Sequence, residues 1–101
     1  MDRPPIVMRR SRRGLVAMTA RLRANVGIYW DVVVTDLSAE GCSIAKPDIR
    51  LRRQQRITIR LESIDYLLGH VKWAAESTAG IEFDRPLHAA VAEHLQRRFK
   101  R

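Results

Sequence analysis

The chain has 101 residues, which is room for one hydrophobic core and no second. Lys and Arg number 19 against 11 Asp and Glu, a net charge of +8, and only Lys46, Lys72 and Lys100 are lysines. So much arginine points to phosphates, flat aromatic rings or nucleic acid as partners, or to a solvated basic surface. The single cysteine, Cys42, excludes an intrachain disulfide and fits a reducing, cytoplasmic setting. No apolar run is long enough for a signal peptide or a membrane span, so a soluble protein without membrane insertion is expected.

Residues 1–13 hold the adjacent Pro4 and Pro5 and then the cluster Arg9-Arg10-Ser11-Arg12-Arg13, with no periodicity that could bury a face. A flexible arm is predicted there. From Gly14 the period becomes two. Val16, Met18, Ala20 and Leu22 alternate with Leu15, Ala17, Thr19, Arg21 and Arg23, which predicts a half-buried strand. Turn residues 24–27 lead to Ile28 through Leu37, a run of β-branched and aromatic residues that makes the strongest strand of the sequence. Ser38-Ala39-Glu40-Gly41 reads as a turn. A short strand from Cys42 to Ala45 follows, broken by Pro47 and Asp48.

Further strands are expected at about Gln55 to Leu61, Tyr66 to Trp73 and Gly80 to Phe83. After Asp84 and Pro86 the period lengthens to about 3.6. Leu87, Val91, Leu95 and Phe99 then share one face with Ala90 and His94, which predicts a terminal helix over residues 86–99. Arg97, Arg98, Lys100 and Arg101 complement its negative end. Residues 14–101 therefore read as one domain, a small antiparallel barrel of five or six strands with a helix packed on it.

Two constellations carry chemistry. In the arginine cluster only Arg9 and Arg13 are four apart, and mutually repelling guanidiniums on an arm gain most from an anion with more than one phosphate. A disordered basic tail is the plain alternative. At the end of the strongest strand, Asp36-x-Ser38-x-x-Gly41 offers a carboxylate that can accept two hydrogen bonds from a guanine edge and a hydroxyl that can donate or accept. Its glycine permits a positive φ and a close approach of backbone to ligand. A simple turn uses the same residue types.

Taken together, Arg9, Arg13 and the Asp36-x-Ser38-x-x-Gly41 loop resemble the PilZ domain, a receptor for cyclic di-GMP. Leu68-Gly69-His70-Val71-Lys72-Trp73 is similar to that family's glycine-x-valine-x-tryptophan strand, and Gly80-Ile81-Glu82-Phe83 to its closing strand. The resemblance runs from about residue 9 to residue 99. It implies a mainly β fold, a six-stranded antiparallel barrel with a C-terminal helix and a flexible basic arm. It also implies cyclic di-GMP held by Arg9, Arg13 and the auxiliary Arg10, with Asp36 and Ser38 reading guanine edges and Gly41 letting the loop close. One departure is Gln54-Gln55, which stands where the family usually has a glycine before a strand.

The remaining residues point elsewhere. His70, His88 and His94 lack metal-ligand spacing, and His94 reads as a partly buried helix residue. Cys42 is expected inside the barrel, and Trp30 and Trp73 in or near the core. Arg50, Arg52, Arg53, Arg56 and Arg60 form a basic strip that reads as a solvated face, a partner surface or a steering field. No catalytic set, metal or cofactor is indicated. The expected function is a cyclic di-GMP receptor or adaptor that orders its arm on the ligand and signals through a surface to an effector protein. The alternatives are a PilZ-like interaction scaffold that binds no nucleotide and, further behind, a small basic nucleic-acid-binding barrel.

Overall fold

The computed structural model describes residues 12–25, 27–46 and 49–101. The arm before Arg12 and the break at Pro47 and Asp48 lie outside them. Six strands follow in order: β1 (Gly14–Asn25), β2 (Ile28–Leu37), β3 (Gly41–Ala45), β4 (Arg56–Leu61), β5 (Tyr66–Ala74) and β6 (Thr78–Phe83). All pair antiparallel in the closed ring β1-β2-β3-β6-β5-β4. Closure comes from β1 against β4, where Ala20 faces Leu61 and Leu22 faces Ile59.

The period-two pattern accounts for the core. Val16, Met18, Ala20 and Leu22 of β1 point inward, with Val34 and Leu37 of β2, Ile44 of β3, Ile59 and Leu61 of β4 and Val71 of β5 packed against them. Each such aliphatic side chain contributes about 1.5–3 kcal/mol by leaving water. Cys42 is fully buried among them, as its sequence context suggests. Burial pushes its thiol up to about 12, with the nearby Asp36 carboxylate adding to the rise and Arg13 opposing it.

The helix, α1 (Ala89–Arg98), closes one end of the barrel. It starts later than the predicted residue 86. The Leu87 amide donates to the Ala39 carbonyl at 2.8 Å, which holds the chain in the approach to the helix. The His88 ring then accepts from the Ala90 amide as the cap. Its buried face is also rotated from the predicted one, since Ala92 and Leu95 are buried while Val91 and His94 are exposed. The chain beyond the helix returns to the start of β1, where the Ala17 amide donates to the Phe99 carbonyl at 2.9 Å and Val16 bridges Lys100. No helix among the described residues is long and apolar enough to cross a membrane.

Gln54 resolves the departure at the glycine position. It takes φ +69°, the left-handed conformation that glycine adopts without cost and that other residues adopt at a penalty of about 1 kcal/mol or more. The arginine strip on either side of Gln54 is exposed, and Arg56 grips Asp84 with both prongs of its guanidinium, one at 3.0 Å. That hydrogen bond holds the Asp84 carboxyl below its ordinary value.

Candidate functional site

Strict alternation along β2 would send Asp36 inward with Val32 and Val34. The pairing of β2 with β3 instead shifts register between Val34 and Asp36. The extra residue lets Leu37 take the core position and turns Asp36 to the outer wall. Bulges re-aim side chains in this way next to binding sites. A second shift, between Val71 and Trp73 in the pairing of β5 with β6, does the same for Trp73. Trp73 is 40 % exposed, on the wall and not in or near the core as expected. Its indole lies over Gly80, where a β-carbon would come within 2.2 Å of Nε1, so Gly80 is the residue that lets the ring lie flat on the wall.

The registers align these two re-aimed side chains. Asp36 pairs with Ser43, Ser43 with Gly80 and Gly80 with Trp73. One row therefore crosses four strands, a span of roughly 14 Å at about 4.8 Å per strand. Its ends are a carboxylate and an exposed aromatic plate.

Arg13, immediately before β1, reaches the same place and donates from its guanidinium to Asp36. Both side chains remain partly open to water. Arg13 and Asp36 are thus brought together, while Arg9 and Arg10 lie outside the described residues. Ser38 is buried, and its hydroxyl is engaged within the turn, donating to the Gly41 carbonyl and accepting from the Glu40 amide at 3.2 Å. The turn is fixed further by the Phe83 amide donating to Glu40 and the Leu87 amide to Ala39. Asp36 accordingly stands on a rigid base.

Gly41 departs from expectation in its reason for being glycine. It does not adopt a positive φ, which among the described glycines belongs to Gly27 alone. A β-carbon on Gly41 would fall 2.1 Å from the Ile81 carbonyl oxygen, so the constraint is the close approach of β3 to β6.

Beside the Arg13–Asp36 pair lies a cleft of about 720 Å³ between the start of β1, the Ala39 turn and the helix, lined among others by Arg12, Arg97, Lys100 and Arg101. Gln96 crosses its floor. Its amide nitrogen donates to the Arg12 carbonyl at 2.9 Å and to the Leu37 carbonyl at 2.8 Å. The helix is therefore tied to the arm's base and to the end of β2 by one side chain. Sequence reasoning missed Gln96, Ser43 and the outward pose of Trp73. Only strand register and tertiary packing place them, and neither leaves a local pattern. Among the described residues, no group of three or more His, Cys, Asp or Glu side chains could hold a metal ion.

The outer wall of this small closed barrel thus carries an arginine–carboxylate pair and an aromatic plate. The family model described as PilZ domain matches residues 8–101, and the chain belongs to that family. PilZ domains are ligand-binding adaptor domains rather than enzymes, and the family binds cyclic di-GMP and interacts with effector proteins. Among solved structures the chain is similar to the Bacillus subtilis inhibitor of motility (MotI/DgrA), at 11% identity and a TM-score of 0.66. That likeness covers 97% of this chain and 50% of the other, so the chain spans half that protein's length and shares its fold over that half. No curated protein matches the sequence.

Proposed function

We propose that this chain is a cytoplasmic cyclic di-GMP receptor that passes its state to an effector protein. The observation that carries the reading is the outward Asp36 on its bulge with the Arg13 guanidinium bound to it. A carboxylate accepts both donors of a guanine edge, and a guanidinium binds phosphate bidentately and stacks on a flat ring. In the free protein the two satisfy each other. The ligand exchanges that ion pair for two better-matched contacts, guanine to Asp36 and phosphate to Arg13, with Arg9 and Arg10 joining from the arm formed by residues 1–13.

Ser38 and Gly41 serve the site through the loop they shape, and Trp73 offers a second plate at the far end of the row. When Arg13 moves, the Arg12 carbonyl moves with it, and Gln96 carries that displacement to the helix. Ordering of the arm and a shift at the helix together form the output.

Calorimetric titration with cyclic di-GMP tests this. Saturable heat is expected for the wild-type chain. Arg13→Ala is expected to weaken binding about 10- to 100-fold, because a charge-assisted hydrogen bond contributes about 1.5–3 kcal/mol. Absence of saturable heat up to about 100 µM ligand, a free energy weaker than roughly −5.5 kcal/mol, would replace this reading by the scaffold that binds no nucleotide.

A further inference from the structure

We infer that the outer face of β1, β4 and β5 is a docking surface for an acidic segment of a partner protein, one that also presents an apolar side chain. In the closed ring β1 stands opposite β6 and β4 opposite β3, so the centre of this face lies across the barrel from the β3–β6 centre of the Asp36–Trp73 row, with β2 and β5 as shared flanks. It does not depend on the nucleotide reading.

Strand registers assemble the face from distant parts of the sequence. Arg21 of β1 lies beside Arg60 of β4, which lies beside Tyr66 of β5. One row along, Tyr29 of β2 lies beside Arg23, which leads through Thr58 to Leu68. The two tyrosine rings meet across β1 and β4 with centroids 6.4 Å apart and planes inclined at 48°. Arg21 and Arg23 place their guanidiniums over Tyr29 at 5.9 and 5.7 Å, and Arg23 also donates to the Tyr29 hydroxyl at 3.2 Å. Arg60 lies 5.9 Å over Tyr66. Tyr29, Tyr66 and Leu68 are 45, 42 and 58 % exposed.

These cations are held in place by the rings and are only weakly neutralised, with Asp31 and Glu62 beside Arg21 and Arg60 in a shallow pocket. Among the described residues Arg23 and Arg60 pair with no carboxylate, and Arg21 meets only the largely exposed Asp31 at 3.6 Å, a contact of little strength in water. Guanidiniums already ordered on aromatic rings lose little freedom when a carboxylate arrives. Tyrosine and arginine around an apolar centre are the composition of binding hot spots.

Charge selects the occupant. A second copy of the chain would set arginine against arginine. Single-stranded nucleic acid needs open ring faces, whereas these rings are tilted and covered by guanidiniums, and Leu68 offers nothing to a phosphate. An acidic segment with an apolar side chain matches every part of the surface.

The test is selection of a random dodecapeptide display library on the wild-type chain, with the enriched peptides then synthesised and measured by fluorescence anisotropy. Peptides rich in Asp and Glu with Leu, Phe or Trp are expected. Their affinity should fall at least about tenfold, roughly 1.4 kcal/mol, for Tyr29→Ala/Tyr66→Ala and for the single exposed charge reversal Arg60→Glu. The charge reversal leaves the core untouched, and circular-dichroism melts verify that both variants fold. No enrichment, enriched peptides without acidic residues, or equal affinity for folded variants would overturn the proposal. So would tight binding of a short oligouridylate that Tyr29→Ala/Tyr66→Ala abolishes, since the face would then belong to nucleic acid.

Discussion

A methyl group on Gly41 would press into the Ile81 carbonyl oxygen at 2.1 Å. Gly41→Ala is therefore expected to lower stability by about 1–3 kcal/mol through forced separation of β3 and β6. For a domain of this size the melting temperature should fall by roughly 5–20 °C in a thermal scan, and an unchanged melt would mean that the strands do not approach as described. Cys42, the next residue, gives a pH-dependent effect. Its thiol stays protonated in the native protein up to about 12, against an ordinary 9.0. Between those values the unfolded chain gives up the proton and the folded chain does not. Stability from this group is thus complete below about pH 9 and declines above it, by up to about 1.4 kcal/mol per pH unit. Urea midpoints measured from pH 8 to 11 should drop more steeply for the wild-type chain than for Cys42→Ala, and parallel curves would refute the assignment.

At the level of elements, the two bulges separate what could be read from the sequence from what could not. Alternation along β1 predicted a half-buried strand, and Val16, Met18, Ala20 and Leu22 are its buried set, a parity kept although the pairing with β2 shifts register between Leu15 and Met18. The same rule fails at Asp36 and Trp73, since a bulge changes parity and depends on the partner strand's register. The helix behaves similarly. Its existence follows from a 3.6 period, but Val91 and His94 face water because packing against the barrel end chose the Ala92–Leu95 side. Arg13 and Asp36, which the structure brings together, were both singled out from the sequence, whereas the link to the helix was not, because Gln96 lies 84 residues from Arg12 and 59 from Leu37. Gln96→Ala removes both bonds and leaves a part-buried carbonyl short of a donor, a loss of about 1–3 kcal/mol. Hydrogen exchange should then accelerate together at residues 12–15 and in the last helical turn. Acceleration at one of the two alone would show that Gln96 does not couple them.

For the molecule as a whole, the net charge of +8 creates a field that draws in anions before any contact forms. Cyclic di-GMP association followed by stopped flow is expected to slow severalfold between about 10 and 150 mM salt, as the screening length shrinks from roughly 30 to 8 Å. Dissociation should hardly change, and an association rate indifferent to salt would show that steering plays no part. The closure of β1 onto β4 has a further effect on how this protein can be recognised. An open sheet offers a row of bare amides and carbonyls on which another chain can lay a strand, with main-chain bonds that tolerate almost any sequence. Here each of the six strands has a neighbour on both sides over part of its length. A partner therefore meets mainly side chains on the wall, with backbone left bare along the β3 side of Ile28 to Val32, and contacts to those side chains can be altered by point substitution.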